Sequence, residues 1–445
     1  MKKSYAYPIT SICQALKQQT GNVQVNGWIR SVRYQKSMLF ADLNDGSTMA
    51  NMQLVLDRKY DNLCTGASVS VTGNIALRNG RVDLAVSKLD VLGGCPPDYP
   101  LFKGRLPMDH LRSNLHLRSR TATFGAVWRL RSTLFAAVQS FFKDQSFLQV
   151  STPVLTGNDC EGGGEAFRVT NGKDDEFFGH PVYTAVSGQL HAEFLASAMS
   201  RVYTLGPTFR AERSDSTRHL AEFWMLEAEM AFFTDLDQLL DFVEALMVQV
   251  AKHILLNARE EIQFFDERFE KGLIDKLTAC AEGGFTRITY TEAVKILAES
   301  SLEIERTVNW GESLSVQHER FLADKFGPVF ITDYPKAVKP FYMKSSLTCK
   351  EGFPTVACMD FILPLIGEVV GGSIREDNYD QLAANIIENK QRLEDFDWYL
   401  DLRKYGSVPH GGFGLGMERI LAYCTGIRNV RDLIPAPRYM DHCKM

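Results

Sequence analysis

Thr208-Phe209-Arg210-Ala211-Glu212-Arg213, a polar stretch 214–218, and His219-Leu220-Ala221-Glu222-Phe223-Trp224-Met225-Leu226-Glu227-Ala228-Glu229-Met230 together decide how this chain folds. Two β-like runs joined by a charged loop make a long hairpin. Arg210, Arg213, Arg218 and His219 carry planar or ionic donors of the kind that grip phosphate. Phe223 offers a ring that can stack on a base, and Glu212 an acceptor for an exocyclic amine. Taken singly, such residues are more often surface ion pairs. Assembled on one hairpin face, they are harder to dismiss.

Upstream, Phe141-Phe142-Lys143-Asp144-Gln145-Ser146-Phe147-Leu148-Gln149-Val150-Ser151-Thr152-Pro153 reads as a helix, begun near Phe124, running into a strand that stops at proline. Downstream, Gly411-Gly412-Phe413-Gly414-Leu415-Gly416-Met417-Glu418-Arg419-Ile420-Leu421 is a glycine-rich strand entering a helix whose first turn holds Arg419. Glycines permit close backbone approach and a helix N-terminus favours anions, which suits polyphosphate. It is neither a Walker loop nor a dinucleotide fingerprint. Between 235 and 325 the pattern turns helical and amphipathic, as in Leu239, Leu240, Phe242, Val243, Leu246 and Val250, and is read as a helical insertion.

Residues 22–92 differ in kind. Short strands near 23–29, 38–43, 52–56, 68–72 and 82–86, separated by Gly and Asp-Gly turns, suggest a small barrel of the OB type, which commonly binds oligonucleotides. Cys95-Pro96-Pro97-Asp98-Tyr99-Pro100 marks a break. The domain reading is therefore 1–100 barrel, 101–123 hinge and 124–445 an α+β domain with an insertion at 235–325.

Charge follows this division. Over 445 residues the net charge is −5, yet residues 1–130 hold 17 Lys+Arg against 8 Asp+Glu, and the remainder 32 against 46. A basic part on an acidic chain suggests a nucleic-acid or membrane contact. The most apolar stretch, 356–370, is broken by Asp360, Pro364 and Glu368, so no membrane span is expected. The basic start lacks an apolar core and does not read as a secretory signal. Nine scattered cysteines without a C-x-x-C pair fit neither a disulfide framework nor a zinc ribbon, and a cytoplasmic, reducing setting is the simplest account.

The three segments, in this order and spacing, resemble the signature motifs of the class II aminoacyl-tRNA synthetases: Pro153 closing the first, Phe209-Arg210-Ala211-Glu212 the second, Gly414-Leu415-Gly416-Met417-Glu418-Arg419 the third. A barrel ahead of them resembles the aspartate/asparagine/lysine subgroup. The resemblance implies an N-terminal OB-fold anticodon domain and a catalytic antiparallel sheet flanked by helices. It implies activation of an amino acid by ATP to an aminoacyl-adenylate and pyrophosphate, then transfer to the 3′ end of tRNA. Arg210 and Arg419 become the catalytic arginines at the α- and γ-phosphates. Glu212, Arg218, His219, Phe223, Glu368, Gly416 and Glu418 become the remaining ATP contacts. The resemblance puts Mg²⁺ at Asp360 and Glu368, carboxylates set among apolar residues, for which pairing with arginine is the alternative. It also implies a homodimer formed through the segment ending at Pro153.

The amino acid is read from Ser187-Gly188-Gln189-Leu190-His191-Ala192-Glu193. Aspartate members of the subgroup place lysine where Ala192 stands, so the second cation for a carboxylate is missing. Glu193 is expected to accept from an amide NH₂ and to repel aspartate. Gln189, His191, Gly371 and Arg375 complete the expected amino-acid pocket, with Arg375 donating to the amide oxygen and Glu165 on a loop meeting the α-amino group. The asparagine branch of the subgroup is therefore expected, with L-asparagine and tRNA(Asn) as substrates. In the barrel, the resemblance implies that Phe40 stacks on the central anticodon base, while Gln53 on the third strand is placed to read a base edge and Arg30, Arg33 and Lys36 are placed to steer phosphate. A core position is the competing reading of Phe40. The competing functions are an aspartyl enzyme, a non-catalytic RNA-binding paralogue and an amide synthetase lacking the barrel.

Overall fold

The computed structural model describes residues 9–445 except 19, 58–59, 61, 79, 102–103, 105, 159–165, 173–176, 301–307 and 347–352. It forms two compact units, Met1–Arg129 and Leu130–Met445.

In the first unit, α1 (Ile12–Leu16) precedes five strands, β1 (Gly21–Tyr34), β2 (Met38–Asn44), β3 (Met52–Asp57), β4 (Ser68–Arg78) and β5 (Arg81–Gly93). They close into a barrel in the order β1-β2-β3-β5-β4. Period-two alternation drives this closure. Val23, Val25 and Ile29 of β1, Leu39, Ala41 and Leu43 of β2, and Met52, Leu54 and Leu56 of β3 all point into one core. A capping box at Ser11 and Gln14 starts α1, which adds Ile12 and Ala15 to that core. Two short helices, α2 (Met108–Ser113) and α3 (Leu115–Arg118), lead into the long α4 (Ala122–Asp144), inside which the two units divide. Arg118 is fully buried, its guanidinium 4.2 Å from the centre of the Phe124 ring, because a cation–π contact lets it replace solvent.

The second unit continues with β6 (Leu148–Gln149), β7 (Leu155–Thr156), β8 (Arg168–Val169), β9 (Val182–Thr184), α5 (Gln189–Met199), β10 (Arg201–Phe209) and β11 (Glu222–Ala231). Then come α6 (Leu236–Asn257), α7 (Arg259–Arg268), α8 (Leu273–Glu282), β12 (Thr286–Thr289), α9 (Tyr290–Ala298), α10 (Val316–Phe326) and β13 (Val329–Thr332). The chain ends through β14 (Cys358–Leu363), β15 (Gly367–Ile374), α11 (Tyr379–Glu388), α12 (Asp397–Lys404), β16 (His410–Gly416) and α13 (Met417–Thr425). Eight strands form one sheet in the order β12-β13-β14-β15-β16-β11-β10-β6. Its interior pairings are antiparallel, and only the two edge pairs, β12–β13 and β10–β6, are parallel.

Residues 235–325 are not purely helical. They also contribute β12, which joins the main sheet at its edge, a four-residue strand too short to show a period against its helical flanks. The apolar face read from the sequence on α6 is the buried one, and Asp235 caps that helix by accepting from the Gln238 amide at 3.0 Å.

Candidate active site

The hairpin of β10 and β11 lies toward one side of the sheet, with β10 beside the edge strand β6, and is paired from Arg201 with Met230 to Phe209 with Glu222. Its neighbour β16 runs antiparallel to β11 and delivers the glycine-rich segment beside it. Glycine is required at Gly412, where a Cβ would fall 2.1 Å from Glu229 Oε1 and 2.4 Å from the Ala228 carbonyl oxygen. The glycine run thus makes room for a carboxylate of this chain as well as for any ligand.

A cavity of about 350 Å³ opens over these strands. Arg210, Glu212, Arg218, His219, Phe223, Gln189, Asp360, Glu368, Gly371, Arg375, Gly416, Glu418 and Arg419 all line it. Residues separated by more than 200 positions in sequence are thereby gathered around one space.

One end is half-open and basic. The Arg210 guanidinium sits 5.6 Å from the centre of the Phe223 ring and 3.9 Å from Glu212. His219 Nε2 is 3.2 Å from Glu212, and its Nδ1 meets the hydroxyls of Ser214 and Ser216. Burial lowers the His219 pKa, and Arg419, Arg218 and Arg210 lower it further against the pull of Glu212. Arg419 donates to the Glu368 carbonyl oxygen at 2.9 Å and lies 3.8 Å from its carboxylate. Arg218 pairs with Glu319 at 3.4 Å, and Glu319 accepts from the Glu368 amide at 3.0 Å. Glu418 faces inward, paired with Arg131 at 2.7 Å and accepting from the Trp224 amide at 3.0 Å.

The expected metal ligands come together beside Gly371. A Cβ on that residue would lie 3.2 Å from Glu368 Oε1 and 3.7 Å from Asp360 Oδ1. However, both Asp360 oxygens accept from Lys339 Nζ at 2.8 Å, and the same ammonium sits 4.0 Å from the centre of the Tyr334 ring. Burial raises the Asp360 pKa, with Lys339 opposing; Glu368 is held below the ordinary range because Arg419 and Lys339 outweigh its burial. No group of three or more metal-ligating side chains occurs among the described residues. Two carboxylates are too few for a protein-only magnesium cage, but they fit a cation whose other ligands arrive on a polyphosphate.

The other end is closed. Arg375 is 2% exposed and gripped by Glu229, which accepts from Nη2 at 2.5 Å and Nε at 3.3 Å. Its Nη1 donates to Ser373 Oγ at 2.7 Å. Glu227 lines the cavity too, accepting from Ser187 Oγ and from the Gly188 amide at 2.9 Å.

Two residues expected here stand elsewhere. Glu193 does not line the cavity. One oxygen accepts from Gln189 Nε2 at 3.0 Å and the other from Tyr399 Oη at 2.7 Å and Arg403 at 2.9 Å, with His410 Nε2 at 3.0 Å. It has no capacity left for a substrate amide. The reason is helical: Gln189 begins α5 at the cavity wall, and Glu193 lies one turn deeper on the same face. His191, two residues on from Gln189, turns away and stacks on Trp398 with ring centres 5.4 Å apart. Glu165 lies outside the described residues. Glu229, Arg403, Tyr399, His410 and Lys339 were absent from the sequence reading. The one available signal was a pair of carboxylates, Glu227 and Glu229, two positions apart on the second run of the hairpin and set among apolar residues.

On the barrel, Phe40 lies on the outer face of β2, opposite the core residues Leu39 and Ala41, so the core reading of Phe40 does not hold. It is paired across strands with Arg33 and Val55. Gln53 accepts from Arg33 at 3.0 Å. Arg30 is largely withdrawn from solvent and donates to Asn44 Oδ1 at 3.3 Å; burial lowers its pKa, with Arg120 and Arg129 adding to that. It is therefore less available to phosphate than expected. Pro153 is exposed.

Comparison with known proteins agrees with this geometry. Residues 108–440 match the model for tRNA synthetases class II (D, K and N), and residues 23–92 match that for the OB-fold nucleic acid binding domain. An asparagine--tRNA ligase of Microcystis aeruginosa is 45% identical over 94% of this chain and 96% of that protein. A chloroplastic/mitochondrial asparagine--tRNA ligase of Arabidopsis thaliana is 44% identical over 94% and 79%. The crystal structure of asparaginyl-tRNA synthetase from Pyrococcus horikoshii complexed with asparaginyl-adenylate has a TM-score of 0.89 and 29% identity, covering 98% of this chain and 99% of that one. A cavity lined by a motif hairpin and a glycine-rich strand, preceded by a five-stranded barrel, is thus accounted for by descent: the chain belongs to the class II tRNA synthetases for aspartate, lysine and asparagine.

Proposed function

We propose that this chain is an asparagine--tRNA ligase. One observation carries the choice of amino acid: the cation at the closed end of the cavity is already neutralised. Arg375 has Glu229 at 2.5 Å and Glu193 at 3.8 Å, and Ala192 supplies no second cation. An aspartate side chain would add a further carboxylate to an end that already buries Glu193, Glu227 and Glu229. A carboxamide adds none, and offers an oxygen to the guanidinium and an NH₂ to a carboxylate.

In the first step, the carboxylate of L-asparagine attacks the α-phosphorus of ATP, the bond to the β-phosphate oxygen breaks and pyrophosphate leaves. Arg210, Arg218 and Arg419 offset charge on the phosphates, and Phe223 offers its face to adenine. His219, its pKa lowered, serves as a neutral donor near neutral pH. Asp360 and Glu368 are the carboxylates that would hold Mg²⁺, which supplies further neutralisation of the phosphates when bound. In the second step, a ribose hydroxyl at the 3′ end of tRNA(Asn) attacks the activated carbonyl and AMP leaves. Alignment and fixed charge supply most of the catalysis.

The outward Phe40 and its neighbour Gln53 are the barrel's base-reading pair. Exposed Leu148, Val154 and Leu155 flank Pro153 and support pairing of two copies through this face. Among the described residues no helix is long and apolar enough to cross a membrane, and the described cysteines are free thiols, in keeping with a cytoplasmic enzyme. The test is pyrophosphate exchange with asparagine and aspartate supplied separately, followed by charging of tRNA. Exchange driven by asparagine alone is expected; equal or greater exchange with aspartate would overturn the assignment.

A further inference from the structure

Behind the closed end of the cavity lies a second layer of charge. Glu193 of α5 is its centre, and Arg403 and Tyr399, one turn apart on α12, grip the same Glu193 oxygen and each other at 3.0 Å. Arg403 Nε also donates to the Glu376 carbonyl oxygen at 2.8 Å, the residue that follows Arg375. All of these side chains are buried. Two carboxylates, Glu193 and Glu229, therefore face two guanidiniums, Arg375 and Arg403, without solvent to screen them.

This arrangement has a geometric consequence. If Arg403 did not occupy Glu193, only Gln189, Tyr399 and the His410 ring would hold that carboxylate, and it would compete with Glu229 for Arg375, which it already approaches to 3.8 Å. The Arg375 guanidinium would then swing off the wall of the cavity. The helix α12 contributes no residue to that wall. It acts on the wall from behind, through the Arg403 ion pair, the Tyr399 hydroxyl and one backbone contact.

We propose that Arg403, assisted by Tyr399, is a positioning residue for amino-acid recognition: by holding Glu193 and the backbone at Glu376, it fixes the direction in which Arg375 presents its donors. The proposal rests on the reading of the closed end as the asparagine side-chain pocket. It predicts a defect confined to one substrate. The ATP end of the cavity shares no residue with this layer, so the two Michaelis constants should separate.

The experiment measures pyrophosphate exchange by the full chain for four variants, with circular dichroism and thermal melts to establish folding. Arg403→Met should raise the KM for asparagine by about tenfold or more and leave the KM for ATP within about twofold. Arg403→Lys, which keeps the charge near Glu193, should recover part of that loss. Tyr399→Phe, which removes one hydroxyl and keeps the ring, should give a smaller shift in the same direction and folds even if Arg403→Met does not. Arg392→Ala, at an exposed ion pair before α12, should change neither constant. Parallel rises in both constants, or an unmoved asparagine KM in folded Arg403→Met or Tyr399→Phe, would overturn the proposal alone. A wild-type chain that fails to activate asparagine would remove the functional reading and the proposal with it.

Discussion

The two ends of one cavity are built on opposite electrostatic plans. At the end proposed for the phosphates the side chains of Arg210, Arg419 and Glu368 are 27%, 28% and 40% exposed, and their closest ionic contacts are 3.8–3.9 Å. At the end proposed for the amino acid Arg375, Glu193 and Glu229 are at most 2% exposed, with contacts down to 2.5 Å. The difference teaches what each ligand demands. A polyphosphate brings several charges and its own counter-ion, so loosely held cations that can adjust to it are enough. A carboxamide differs from a carboxylate only in charge and in one donor, so the groups that tell them apart must be immobile and already balanced.

The largest test of this contrast removes the buried cation. Arg375→Gln leaves Glu193 and Glu229 sharing a dry site, and should cost about 3–5 kcal/mol of stability, besides abolishing asparagine-dependent exchange. Chemical denaturation reads the first effect, and a loss no larger than that of a surface substitution would show the closed end to be wetter than described. Next comes Arg210→Gln, which should lower kcat for adenylate formation by about 10²–10³ while leaving stability nearly unchanged, as befits a partly exposed charge. A matching fall in melting temperature would erase the distinction between the two ends.

The smallest effect is in pH. Burial pushes the Glu193 carboxyl up, but Arg403, His410 and Arg375 together hold it below its ordinary value of 4.5. A depressed carboxyl contributes stability that is complete above its unfolded value and fades as pH falls through the folded one. In a Glu229→Gln background, which removes the neighbouring carboxyl that burial and Glu193 push up to about 7, the stability difference between Glu193 and Glu193→Gln should therefore be flat from pH 8 to 5 and shrink only below 4.5. Shrinkage already between pH 7 and 5 would place the proton on Glu193 itself.

Much of this was legible in the sequence because it is local. β2, β3 and β4 begin at Met38, Met52 and Ser68, where alternation first appears, and run past the expected ends of the apolar runs because barrel strands continue through polar residues such as Asn74. The phosphate-end residues sit in contiguous motifs, so Arg210, Phe223 and Arg419 could be named before any fold was known. The closed end could not be read the same way. Arg375 meets Glu229 across 146 positions and Glu193 meets Arg403 across 210, pairings made by sheet order and helix packing. Glu193 was misplaced for a related reason: a motif fixes which turn of α5 it occupies, but not which layer of the molecule that turn faces.

Gly412 contributes a space rather than a group. Glu229 stands where a side chain on the neighbouring strand would have to go, so on the proposed reading the identity of the amino acid accepted depends on an atom that is missing. A methyl group there would damage substrate choice without touching substrate, and the lesion would look distant and unexplained. Libraries built to redirect this enzyme to other side chains should therefore vary Arg375 and Glu229 and keep Gly412, since a Cβ there would also fall 2.4 Å from the Ala228 carbonyl oxygen, a clash that shortening the acid cannot relieve.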